Sequence, residues 1–142
     1  MTANATDKTT GAAFGDQHER VYAREYLDGI AHFNAERYYE AHEIWEAIWL
    51  RSAGDTRLFY HMLIQAAVAL YHHQRGNTHG VRTLYRRASE KLEQLPAHFM
   101  SLDVKAFACQ LERFIAGSLE REAEALPLND TPRPMIRLQT SR

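Results

Sequence analysis

The run from Leu58 to Tyr71 is apolar on nearly every side of a helix. Such a helix has no solvent face, so it must lie at the centre of its fold with neighbours on several sides. Ala66, Ala67 and Ala69 let those neighbours approach closely. The apolar part, Met62 to Tyr71, is interrupted by Gln65 and is too short to span a bilayer. With 142 residues, 45% of them hydrophobic, the chain can wrap such a helix in one domain with one real core.

The flanking segments read as the wrapping. Val21, Tyr22, Tyr26, Ile30 and Phe33 recur at the helical period and predict a first helix from about Asp16, its cap, to Asn34. Ala41, Ile44, Trp45 and Ile48 form the buried stripe of a second helix, from about Arg37 to Ser52. Gly54 is a left-handed cap, and the central third helix starts at Asp55 or Thr56 and ends near Arg75. After a turn at Gly76-Asn77 the fourth helix runs from about Thr78 to Leu95, where Pro96 stops it. A fifth, capped by Ser101 or Asp103, runs from about Leu102 to Ala125. Residues 1–15 are small and polar and are expected to be disordered. Residues 126–142 carry Pro127, Pro132 and Pro134 and are expected to form an extended tail, with Met135, Ile136 and Leu138 able to dock on the body. Sliding the chain by about 40 residues sets His32 on His72, Ala41 on Val81, Ile44 on Leu84 and Trp45 on Tyr85, a faint repeat of helix, turn and helix. The expected architecture is all-α: a compact five-helix bundle of two tetratricopeptide-like hairpins plus a C-terminal helix, over residues 16–125.

Net charge is −1, which calls for neither nucleic acid nor a membrane surface. The single cysteine, Cys109, forms no internal disulfide and reads as a small buried hydrophobe near the core face of its helix. With no apolar leader, the expectation is a cytoplasmic protein. Arg75, Arg82, Arg86, Arg87 and Lys91 make the fourth helix basic, and Glu36, Glu40, Glu43 and Glu46 make the second acidic. The simplest reading is that these faces pair or are solvated. His73 and His79, flanking a turn, read as solvated.

The densest mixture of bulky and ionisable groups is Tyr38 to Trp49. On its wheel His42 and Glu46 lie one turn apart at the edge of the buried stripe, with Trp49 beside them and Glu43 further round. On the central helix His61, Gln65 and His72 share one stripe of an otherwise apolar surface. A buried unpaired amide or imidazole costs about 1–3 kcal/mol, so these groups need partners, and the second helix offers them. Two readings follow. In one, His42, Glu46 and His72 hold a divalent metal such as Zn, Mn or Fe, and Glu43 takes a proton from bound water. In the other, the same groups form a hydrogen-bond network that sets how the hairpins dock. A smaller third reading is an organic ligand between the hairpins, with the tryptophans as walls.

Gly29-Ile30-Ala31-His32-Phe33-Asn34, Tyr39-Glu40-Ala41-His42-Glu43, Glu46 and Trp49 form one block. Leu63-Ile64-Gln65-Ala66-Ala67, Tyr71-His72 and Gly76-Asn77-x-x-Gly80 form a second, with Ala88 and Leu92 continuing it. From about Tyr26 to Leu95 the chain resembles the domain of unknown function 309 family of small all-helical bacterial and archaeal proteins. The resemblance maps motif positions onto Glu40, His42, Glu43, Glu46, Gln65 and His72, and implies the metal-dependent hydrolase suggested for that family. His32 and Val81 depart from its pattern. The residues keep two functions open: a hydrolase at the His42–Glu46–His72 centre, or a non-catalytic helical adaptor. Neither partner nor oligomeric state is set, and a homo-oligomer stays open.

Overall fold

The computed structural model describes residues 13–124 and 131–140. The expected disorder of residues 1–12 lies outside them, as do positions 126–130 and 141–142 of the tail. Among the described residues there are six helices: α1 Asp16–Val21, α2 Arg24–Asn34, α3 Tyr38–Trp49, α4 Gly54–Gln74, α5 Thr78–Gln94 and α6 Val104–Glu124. A small antiparallel hairpin, β1 His98–Phe99 and β2 Leu102–Asp103, joins α5 to α6. None of these helices is long and apolar enough to cross a membrane.

The fold is all-α, and α4 is its axis. Phe59, Tyr60, Met62, Leu63, Ala66, Ala67, Ala69 and Leu70 are all buried, so α4 has neighbours around most of its girth. α2 and α3 form one hairpin and α4 and α5 a second, with α3 and α5 both packed on α4. α6 adds Phe107, Leu111 and Ile115 to the same core, with the Phe107 and Phe33 rings 5.9 Å apart.

The 40-residue repeat holds at the turns. α2 ends at Asn34 and α4 at Gln74; α3 begins at Tyr38 and α5 at Thr78. In each turn one residue takes a left-handed backbone, Glu36 at φ 63° and Gly76 at φ 71°. The next N–H reaches back to a histidine carbonyl in both: Arg37 to His32 and Asn77 to His72, each at 2.9 Å. Side chains repeat the pattern. Arg37 Nε donates to His32 Nδ1 at 2.9 Å, and the Asn77 amide lies 3.2 Å from His72 Nδ1.

Three features depart from expectation. First, the predicted helix 16–34 is two helices, because Tyr22 and Ala23 are extended. The break turns Tyr22 toward the β-hairpin, where its hydroxyl shares a 2.7 Å hydrogen bond with Ser101 Oγ. Second, the β-hairpin turns through Met100 and Ser101, both with positive φ, at 48° and 65°. Side-chain-bearing residues resist that conformation, and three bonds hold it. Tyr22 takes Ser101, Tyr26 Oη donates to the Met100 carbonyl at 3.0 Å, and Gln139 N donates to the Ser101 carbonyl at 2.7 Å. Third, Cys109 is exposed. Phe107, Leu111, Phe114 and Ile115 set the inner stripe of α6, and a residue two places from Phe107 falls on the far side.

Residues 131–140 run extended across the body. Asn34 clamps this strap by donating to the Ile136 carbonyl and accepting from the Ile136 N–H, both at 2.8 Å. Ile136 and Leu138 are buried. Leu138 N donates to the Ala13 carbonyl at 2.8 Å, which ties down the last residues before α1. His18 is buried; Gly15 N–H donates to its Nδ1 at 3.0 Å, so its proton sits on Nε2, which donates to the Gln139 carbonyl at 2.9 Å.

Two substitutions test this packing. A Cβ on Gly29 would overlap the Trp45 indole, whose N–H donates to the Tyr26 carbonyl at 3.2 Å. Gly29→Ala is therefore expected to lose about 1–3 kcal/mol in urea denaturation, despite a better helix propensity. Glu36→Gly relieves a left-handed side chain at the cost of an exposed 3.4 Å ion pair with Arg133. It is expected to gain roughly 0.5–1 kcal/mol in the same assay.

Candidate functional site

The expected ligand set is not gathered in one place. His42 is half-buried near the start of α3, where its Nδ1 bonds the Tyr39 carbonyl at 2.8 Å within its own helix. Glu43 and Glu46 are exposed, and neither forms an ion pair among the described residues. His72 lies in the last turn of α4. Its ring packs on Gly80, where a Cβ would come within 2.6 Å of the imidazole. Asn77 Oδ1 accepts from Gly80 N at 3.0 Å, so its amide nitrogen faces His72 Nδ1 and donates to it. The histidine and the cap of α5 are one structural unit.

His42 meets the Tyr39 ring, Tyr39 meets Tyr71, and Tyr71 meets His72, at centroid distances of 5.0, 5.4 and 6.0 Å. The two imidazoles are joined through tyrosines and do not touch. Among the described residues no three of His, Cys, Asp and Glu stand close enough to hold a metal ion. Among the described residues His42, Glu46 and His72 do not form a cluster: Tyr39 and Tyr71 stand between the two imidazoles, and Glu46 is exposed. Glu40 is exposed and lines a shallow cavity of about 320 Å³ with Glu36, Arg37, Tyr39, Tyr71 and Gln74.

The other predicted residues do meet. The Trp49 and His61 rings lie 4.9 Å apart, joining the end of α3 to the first half of α4. His61 and Gln65, one turn apart on α4, face each other at 3.3 Å between the His61 Nε2 and the Gln65 amide nitrogen. Gln65 is 7% exposed, the most deeply buried polar side chain on α4.

Two further residues join this group that sequence reasoning did not single out. Arg57 lies flat on Trp49, its guanidinium carbon 4.3 Å from the ring centroid, and donates to the Trp49 carbonyl at 3.0 Å. The signal was available: Arg57, His61 and Gln65 are spaced i, i+4, i+8, one helix face. Lys91, on α5 and among the basic residues read as a solvated face, acts on this group through its charge. Burial, and then the charges of Lys91 and Arg57, hold the His61 imidazole below the usual histidine range. Burial also lowers Lys91, with Arg87 adding to it and Glu90 opposing. Two polar atoms here are buried without a partner: the Trp49 indole N–H and the Gln65 carbonyl oxygen.

A cavity of about 500 Å³ lies between α5 and α6 and is lined by residues such as Tyr85, Ser89, Glu93, Lys105 and Glu112. None of the predicted site residues reaches it. Of the two readings of the acidic α3 and basic α5, pairing or solvation, the structure shows no ion pair between them among the described residues, and Glu40, Glu43, Glu46, Arg82, Arg86 and Arg87 are exposed.

Similarity to known proteins covers the same two hairpins. Residues 26–84 match the family model described as Domain of unknown function (DUF309). Uncharacterized protein YpuF of Bacillus subtilis (strain 168) is 44% identical over 66 residues, which are 45% of this chain and 38% of that protein. The chain therefore spans well under half the length of that relative. The crystal structure of a conserved hypothetical protein from Thermus thermophilus superposes with a TM-score of 0.59 at 30% identity, covering 67% of this chain and 99% of that one. With Gly29 cradling Trp45, Gly80 cradling His72 and Asn77 capping α5, the motif residues have defined packing roles, and the chain belongs to the DUF309 family.

Proposed function

We propose that this chain is a non-catalytic helical binding module rather than a metal-dependent hydrolase. One observation carries the reading: the imidazoles and carboxylates expected to converge are engaged singly or are solvated. His42 bonds its own helix, His72 belongs to the α5 cap, and Glu43 and Glu46 face outward. A hydrolytic centre needs three ligands around one metal and a base beside the bound water. The arrangement supports docking of the hairpins instead, and leaves unsatisfied polar atoms at the Trp49–His61–Gln65 cluster.

The discriminating measurement is metal content together with thermal stability. After desalting, the protein is expected to hold no stoichiometric zinc, manganese or iron, and its melting temperature should not move when any of them is added. A ligand at one hundred times its Kd would stabilise the fold by about 2.7 kcal/mol, a shift that is easily read. Bound metal, or a rise in melting temperature abolished by His42→Ala or His72→Ala, would overturn the reading.

The cationic surroundings of His61 make a second prediction. Its folded pKa is depressed, so the fold favours the neutral ring. The associated stability is present above the unfolded value near 6.5 and is lost as pH falls through the depressed folded value. Removing the neighbouring charge with Lys91→Gln should move the His61 titration upward, as followed by the NMR shift of its ring protons. An unchanged or lower midpoint would show that Lys91 does not act on this ring.

A further inference from the structure

The outer side of α3 combines carboxylates with exposed apolar side chains. Tyr39, Glu43, Glu46 and Leu50 are spaced i, i+4, i+7 and i+11, one stripe opposite the buried Ala41, Trp45 and Ile48. Leu50 caps α3 with a helical backbone and so stays in line with the stripe. The exposed large hydrophobic residues among the described ones are Val21, Tyr39 and Leu50, and the last two stand on this stripe, 47% and 66% exposed. Glu40 and Ala47 are exposed beside them. A single exposed leucine is ordinary. Apolar groups at both ends of a row of carboxylates instead have the make-up of a contact surface, where apolar area is covered and charge selects the partner.

Charges of the opposite sign lie on α5. Arg82 and Arg86 are one turn apart, with His79 and Arg87 beside them, all exposed on the side away from the buried Val81 and Ala88. Glu90 and Glu93, exposed on later turns, confine the basic stretch to the first half of the helix. The two stretches match in length: Glu40 to Glu46 covers about 9 Å of helix axis and Arg82 to Arg87 about 7.5 Å. The ion pairs among the described residues involve none of Glu40, Glu43, Glu46, Arg82, Arg86 and Arg87. Arginine suits both parts of the α3 face, because its fork binds carboxylates while its stem and planar head pack on apolar and aromatic groups. The chain already uses it so, with Arg57 4.3 Å above the Trp49 ring and Arg75 5.6 Å from that of Tyr71. Within one chain the two faces do not pair, so the complement that this sequence supplies for the α3 face is the α5 face of a second copy.

We propose that the outer face of α3 docks on the basic first half of α5 of a second copy of this chain. This rests on the binding-module reading and adds a surface and a partner to it. Arg82 and Arg86 meet Glu40, Glu43 and Glu46, and the arginine stems cover Tyr39 and Leu50. Neither face is complementary to itself, so the contact is head to tail. A dimer leaves one acidic and one basic face open, and association continues with concentration. Exposed charges are screened beyond about 10 Å at 0.1 M salt, so the contact weakens as salt is added.

The test is the weight-average mass of the full chain by sedimentation equilibrium, at rising protein concentration in low and in high sodium chloride. The mass should climb with concentration at low salt and return to that of the monomer at high salt. The double variant Glu43→Arg, Glu46→Arg should be monomeric at low salt, and so should Arg82→Glu, Arg86→Glu. Mixed together, the two variants present opposite charges to each other again and should associate. Leu50→Ser should weaken association of the parent several-fold, which charge alone would not explain. All these positions are exposed, and circular dichroism with the melting temperature reports that each variant is folded. The proposal is overturned if the parent stays monomeric at low salt, if either reversed variant associates as the parent does, or if the mixture stays monomeric. A monomeric parent that holds no metal removes this surface alone, whereas a metal response removes the binding-module reading.

Discussion

The burial of α4 is the constraint from which the rest of the structure follows. A helix with almost no solvent face cannot be stable alone; each large apolar side chain it hides is worth about 1.5–3 kcal/mol only once partners cover it. α3 and α5 cover two sides, and α2 and α6 complete the core around Phe33 and Phe107. Both hairpins must therefore close tightly on one axis. That demand explains why small residues recur where rings cross helices, Gly29 beneath Trp45 and Gly80 beneath His72. It also locates the polar cluster. α3 and α5 both pack on α4, and the polar stripe of α4 runs along its length.

Much of this was legible because it rests on short-range periodicity. Of the expected stripe Ala41, Ile44, Trp45 and Ile48, all but Ile44, which is half-buried, are buried, and the 40-residue repeat survives in the ends of the helices and in their turns. Glu36 and Gly76 show how the repeat diverges: both take the left-handed turn position, but only glycine advertises it. Met100 and Ser101 hide a turn for the same reason. A tight hairpin turn is usually signalled by Asn-Gly, and here two residues with no such preference are held in place by Tyr22, Tyr26 and the strap. The break at Tyr22 and Ala23 belongs to the same long-range device, so no local pattern could announce it.

The candidate site was half legible. Helical spacing placed His42, Glu46 and Trp49 along one edge of α3, and His61, Gln65 and His72 along one stripe of α4. It could not say which ends of two antiparallel helices meet. The Tyr39–Tyr71 contact sets the start of α3 beside the end of α4, and the Trp49–His61 contact sets its end beside the first half of α4. The stripe is thereby split into two neighbourhoods with different chemistry. At one, the histidines are bound into capping and backbone bonds. At the other, Trp49, His61 and Gln65 meet Arg57, and the charge of Lys91 acts on His61.

The two neighbourhoods also differ energetically. At His72 the ring nitrogen Nδ1 is engaged, and the Asn77 side chain serves both the imidazole and the first turn of α5. Such a unit lowers the free energy of the fold without needing anything further. Around His61 the balance is reversed. Arg57, Lys91 and Arg87 raise the local potential, burial discourages the charge on His61 and Lys91, and two buried polar atoms are left unmatched. An apolar residue in place of Gln65 would remove an orphaned acceptor, and a carboxylate in place of Val68 would bring an acid to the same stripe of α4. At one end of α4 the side-chain hydrogen bonds close among protein groups, whereas at the other the Trp49 indole N–H and the Gln65 carbonyl oxygen are buried with no protein partner.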